Sequence, residues 1–163
     1  MPPIQLNFQY TEADFLEFLR NYFIRHRLPL WGTLIGVMLL LSLLFRTGPI
    51  SASTLLPFVA LVLTWFWLQH SLGKRNFKAA PEMQEPRLCS IDAEKITVTG
   101  QSFSSEFLWN EVLRLIETKG LFLAYTSNAN AVILPKRAFS EQQLSAFRTL
   151  ASQVPGLEIK WRG

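Results

Sequence analysis

Residues 114–139 read RLIETKGLFLAYTSNANAVILPKRAF, and the short apolar runs in this stretch decide the fold. Val112–Thr118, Leu121–Tyr125 and Ala131–Leu134 are rich in β-branched and aromatic residues and too short for helices. Lys119-Gly120 and Ser127 to Asn130 separate them with turn-forming side chains. Pro135 ends the last run, since proline cannot donate to a strand ladder. Lys136 and Arg137 then sit on a turn fixed at both sides, between that strand and a helix start.

Moving outward, Arg87–Asp92, Ile96–Gly100 and Ser102–Trp109 repeat the pattern, with turns at Asp92 to Lys95 and at Gly100-Gln101. Regular spacing of this kind predicts an antiparallel meander. Trp109 is a large core anchor. Ser140 to Gln143 forms a capping box, opening a helix whose apolar face is Leu144, Phe147, Leu150 and Ala151. Phe139 precedes the cap and suits a hydrophobic staple against Leu144. Pro155-Gly156 stops the helix, and Leu157–Trp161 alternates again as a short terminal strand would. At the other end, residues 4–10 alternate apolar and polar strictly, which predicts a strand with one buried face. Thr11 caps a second helix with Asp14 in the capping-box position. Its stripe of Phe15, Phe18, Leu19, Tyr22 and Phe23 is placed either along a membrane or on the β domain. If residues 4–10 join the sheet, the strands number seven.

Two stretches are apolar throughout. Leu28 to Phe45 is 18 residues without a charge and Ile50 to Leu72 is 23. As helices they span roughly 27 and 35 Å, against a hydrocarbon core of about 30 Å. They are therefore expected to form a two-helix transmembrane hairpin, 28–45 and 50–72. It divides the chain into an N-terminal strand and amphipathic helix (1–27), the hairpin (28–72) and a cytoplasmic domain (73–163). Arg20, Arg25, Arg27, Lys74, Arg75, Lys78 and Arg87 flank the hairpin, while Arg46 alone lies in its turn. That asymmetry predicts both termini in the cytoplasm. Arg25, Arg27, Lys74, Arg75 and Lys78 are its juxtamembrane basic residues.

Residues 73–163 hold twelve basic and nine acidic residues, a net +3, with no long basic run to serve as a nucleic-acid footprint. Cys89 is the single cysteine and reads as a buried, inert thiol. There is no glycine-rich phosphate loop, no metal-ligand spacing and no paired His and Cys. The serines at 102, 104 and 105 have no histidine in the domain to serve as base. The residues therefore predict no enzyme, no catalytic group, no metal and no cofactor.

Trp109, Val112, Glu117-Thr118-Lys119, Leu121-Phe122-Leu123, Ala131 to Pro135 and Lys136 to Phe139 stand in the order seen in the YcxB-like family. That family also tends to begin with a strand and Thr-Glu-x-Asp-Phe, as Tyr10 to Phe15 do here, and to carry two spans. The resemblance implies a pleckstrin-homology-like (PH-like) C-terminal domain, seven strands closed by a helix, and no established activity. Asp92 to Lys95 departs from the pattern, since relatives commonly place a glycine in that turn.

The expected whole is an α+β membrane protein, a transmembrane hairpin plus a small antiparallel β domain closed by a C-terminal helix, held at the bacterial inner membrane. Its function is read as that of a non-enzymatic interaction or regulatory protein. The partners are the lipid bilayer and an unidentified protein, without nucleic acid, and a homo-oligomer is compatible with the sequence. An immunity protein that neutralises a membrane-acting toxin is the alternative. Lys136 and Arg137 are candidate contacts for lipid phosphate or an acidic partner, with an ordinary solvated turn as the competing assignment. Trp109, Pro135 and Phe139 are the structural anchors.

Overall fold

A computed structural model of the chain describes residues 3–26, 32–33, 35–37, 40 and 52–162. The elements are β1 (Ile4–Phe8), α1 (Glu12–His26), α2 (Ala52–Ala79), β2 (Arg87–Ile91), β3 (Lys95–Thr99) and β4 (Ser104–Leu108). They continue with β5 (Arg114–Glu117), β6 (Leu121–Tyr125), β7 (Ala131–Pro135), α3 (Glu141–Ser152) and β8 (Glu158–Lys160).

Two four-stranded sheets enclose the core, in the orders β1-β2-β3-β4 and β7-β6-β5-β8. The N-terminal strand pairs antiparallel with β2, Ile4 opposite Ile91 and Phe8 opposite Arg87. Its alternation places Ile4, Leu6 and Phe8 inward and Gln5 and Asn7 in solvent. The turn without glycine is closed by Asp92, whose Oδ1 accepts from the backbone N–H groups of Glu94 and Lys95, both at 2.8 Å. An Asx-type turn of this kind needs no left-handed residue, and no described non-glycine residue has positive φ. The terminal strand β8 pairs with β5, in parallel, which makes the meander mixed at this one ladder.

The second sheet is buried on both faces. Leu115, Phe122, Ala124, Val132 and Leu134 face the core shared with the first sheet. Ile116, Leu121, Leu123, Tyr125 and Ile133 face outward, where Phe18 of α1 and Tyr10 pack on them. This explains why β6 and β7 read as continuous apolar runs rather than alternating ones. α3 closes the core from the other side: Phe147 is fully buried, its ring 4.8 Å from Phe122 and 5.4 Å from Phe139. Both capping boxes form. Thr11 N donates to Asp14 Oδ2 while Asp14 N donates to Thr11 Oγ1, and Ser140 and Gln143 reciprocate at α3.

Among the described residues no helix is long and apolar enough to cross a membrane. This corrects the membrane-protein assignment, the transmembrane hairpin at 28–45 and 50–72, and the multi-pass inner-membrane location with its juxtamembrane charges. Most of 28–45 lies outside the described residues. The second stretch does form a helix, α2, but its apolar run from Ala52 ends at Leu68. At ~1.5 Å per residue that run covers roughly 25 Å, short of the about 30 Å of hydrocarbon. Gln69, His70, Lys74, Arg75, Asn76 and Lys78 fill the remainder, which packs on α1 instead. Gly73 lets the two helices meet, since a Cβ there would lie 2.9 Å from a methyl of Leu16. Phe77 is buried against Phe15, with ring centroids 5.8 Å apart.

Candidate functional site

The two cations after Pro135 are both paired with carboxylates of the protein, Lys136 partly buried and Arg137 on the surface. Lys136 Nζ lies 2.5 Å from Glu117 Oε1, and Arg148 of α3 reaches the same oxygen at 2.6 Å. The Glu117 side chain is only 2% exposed. Burial pushes its carboxyl up, but the hydrogen bonds from Lys136 and Arg148 prevail and hold it below the ordinary range. Arg137 bonds Asp14 Oδ1 and, at 2.7 Å, the carbonyl of Gln9. Asp14 is likewise held low, burial being outweighed by Arg137 and by the Thr11 N–H and hydroxyl. Adjacent residues thus fasten two interfaces: Lys136 joins the turn after β7 to β5, where Arg148 also ties α3, and Arg137 joins the start of α1 to the end of β7. Neither charge is left unopposed, so the structure gives them an internal role.

The other sequence candidates are dispersed. Arg25 approaches Glu158 at 3.8 Å and Lys74 approaches Glu12 at 3.3 Å, while Arg75 and Lys78 are exposed on α2. Arg27 lies outside the described residues. Trp109 is buried and its Nε1 donates to the Asp92 carbonyl at 2.8 Å. Phe139 is buried between Phe122 and Phe147. Pro135 sits at a position of β7 whose nitrogen faces away from β6: Lys136 N donates to Gly120 O and Thr126 N to Asn130 O, so the even-numbered residues of β7 carry the ladder bonds. Its missing donor costs nothing there. Cys89 is buried, and desolvation pushes its thiol up to about 12.

What the structure brings together is a different set. The inner face of the first sheet and the free edge of β7 border a groove of about 170 Å³. Phe103, Phe107 and Val132 supply apolar walls, and Ser105, Thr126 and Asn130 supply polar ones. At its end the Arg87 guanidinium lies over two rings, 4.6 Å from the centroid of Tyr10 and 4.5 Å from that of Phe103. Arg87 Nη2 donates to the Glu82 carbonyl at 2.8 Å, while its buried Nε has no acceptor. The stack is held from several sides. Tyr10 donates its hydroxyl to Ile133 O at 2.8 Å. Burial pushes the Tyr10 phenol up to about 12 against the pull of Arg87, so it stays a neutral donor. Phe103 rests on Gly100, where a Cβ would fall 2.3 Å from the ring. Glu85 accepts from Gln101 N and Ser102 Oγ, tying the segment before β2 to the β3–β4 turn. In the sequence Arg87 stands out only as a flanking charge at the start of a strand run. No local spacing connects it to residues 10 and 103, which meet it only through the β1–β2 pairing and the β3–β4 hairpin.

A second hollow, of about 480 Å³, lies where Trp109, Leu150 and Val154 meet. Its lining has no charged side chain, so it offers shape with little chemistry.

Fold and groove define a small α+β domain of two four-stranded sheets closed by a helix and backed by a second one. Residues 91–151, from the end of β2 almost to the end of α3, match the family described as YcxB-like protein. A relative in Bacillus subtilis (strain 168), named Uncharacterized protein YcxB, is 26% identical over 94 residues, 57% of this chain and 49% of that one. The match thus spans about half the length of the relative. Over these residues the chain is similar to the YcxB-like family. No solved structure matches it.

Proposed function

We propose that this chain is a non-enzymatic interaction module that binds a partner protein through the groove beside β7. The observation that carries this is Arg87, a cation stacked on Tyr10 and Phe103 at the end of a concave site and absent from every described ion pair. Tyr10 remains protonated across the physiological range, which suits a positioning donor better than a proton acceptor. Two sheets closed by a helix support the PH-like reading of the domain, a fold that presents sheet edges and loops to partners. The experiment is site-specific photo-crosslinking in cells. A photoreactive residue at Ser105, on the groove, should capture a protein adduct that the same residue at exposed Lys160 does not. The adduct should disappear when Arg87→Ala is added. Equal capture from both positions, or capture indifferent to Arg87, would sink the proposal.

A further inference from the structure

We propose that the groove takes an extended peptide segment, laid along the free edge of β7 with an Asp or Glu side chain turned to Arg87. This rests on the interaction role proposed above and names the chemistry of the partner. Three observations lead to it.

The first is the edge. β7 ends its sheet, and its ladder bonds to β6 are carried by Val132 and Leu134. The N–H and C=O of Ala131 and the N–H of Ile133 therefore face away from β6, toward the groove side of the strand. Ile133 O faces the same way, and there Tyr10 has already claimed it. An added strand would thus pair at the Ala131 end and stop at Tyr10. Main-chain pairing with an exposed edge is a common way for a β domain to hold a peptide.

The second is the cation. Aromatic contact engages the faces of the Arg87 guanidinium and leaves its N–H fork for an acceptor, and a carboxylate fits that fork. Among the described residues it finds one carbonyl, from Glu82, and no carboxylate. Arg87 is partly buried, its Nε wholly so, and a charge-assisted bond to a carboxylate is stronger than one to a neutral acceptor, so a ligand that brings the charge gains more than one that does not. The third is size: about 170 Å³ holds one or two side chains, which matches a single anchoring residue on a strand better than a folded surface.

The test uses the full chain labelled with nitrogen-15 and two pools of acetylated heptapeptides. Both are randomised except for a central residue, Glu in one pool and Gln in the other. The Glu pool should shift the amide signals of Ala131 and Ile133 and the Arg87 side-chain signal, with apparent affinity about tenfold above the Gln pool. In the Arg87→Gln variant that preference should vanish while weak shifts at β7 remain. A Glu pool methylated on its backbone nitrogens should lose the β7 shifts. Sodium glutarate tests the other source of a carboxylate. If it saturates Arg87 as tightly as the peptides and leaves β7 unmoved, the site is one for a small acid and the peptide proposal falls. Equal binding of both pools also overturns it, as does the absence of shifts at β7. Should the crosslink at Ser105 persist in either case, the interaction role stands and only the identity of the bound segment is wrong.

Discussion

Two tyrosines of the cluster on the outer face of the second sheet, Tyr10 beside it and Tyr125 within β6, differ in the fate of their hydroxyls. Tyr10 donates to Ile133 O, whereas the Tyr125 hydroxyl is buried beneath α1 with no hydrogen-bond partner. An unmade bond costs the desolvation of the group, and a made one returns about 1 kcal/mol. Tyr125→Phe should therefore stabilise the fold by about 1 kcal/mol, and Tyr10→Phe should destabilise it by a similar amount. Urea titrations read by tryptophan fluorescence will show whether the two midpoints move in opposite directions. Gly100 is a second position where one atom decides. Its missing Cβ is what lets the Phe103 ring sit, so Gly100→Ala must push that ring off Arg87. Overpacking of this sort costs about 1–3 kcal/mol. In proton spectra the variant should lose the ring-current shift of the Arg87 side chain. An unchanged Arg87 signal would mean that Tyr10 alone holds the guanidinium.

Elements are joined largely by charge at one corner, where Glu117 of β5 holds the turn after β7 through Lys136 and α3 through Arg148, and Asp14 holds α1 through Arg137. Both carboxyls titrate lower in the folded chain than in an unfolded one. Their stabilisation is therefore fully present above the unfolded values of about 4 and is lost as pH falls through the lower folded ones. The Tm should be flat from pH 7 to about 5 and decline progressively below about 4. Glu117→Gln should cost about 2 kcal/mol at pH 7 and flatten the acid limb. A variant whose Tm falls with acid as steeply as the parent's would remove Glu117 from the corner. How far such features are legible depends on their range. The capping boxes at Thr11 and Ser140, the strand end at Pro135 and the buried Trp109 are local in cause, and each forms as its few residues predict. The corner is not local: Asp14 and Arg137 are 123 residues apart, and nothing near either one names the other. The reach of α1 over the second sheet had a trace in the unbroken apolar runs of β6 and β7, which one buried face does not require. Hydrophobicity alone misled at residues 50–72, because the length that matters is the apolar part of the helix, and Gln69 ends it.

At the scale of the molecule, α1 is the piece shared by everything else. It lies on the outer face of the second sheet through Phe18, accepts the Gly120 N–H at its Glu17 carboxylate, and receives α2 at Leu16 and Phe15. A fragment of residues 80–163 lacks both β1 and α1. It should expose the edge of β2 together with Ile116, Leu123 and Ile133, and aggregate. Adding residues 1–26 as a separate peptide should restore a monomer in sedimentation, whereas residues 1–10 alone should restore only the β2 edge. A fragment that is monomeric unaided would show that neither element is needed. The pairing of Ile4 with Ile91 also sets an order in time. Within its sheet β1 leaves the ribosome first and waits longest for a neighbour, because β2 follows some eighty residues later. At about 5–20 residues per second, Ile4, Leu6 and Phe8 wait several seconds for a partner, and during synthesis that interval is when a chaperone has its opening.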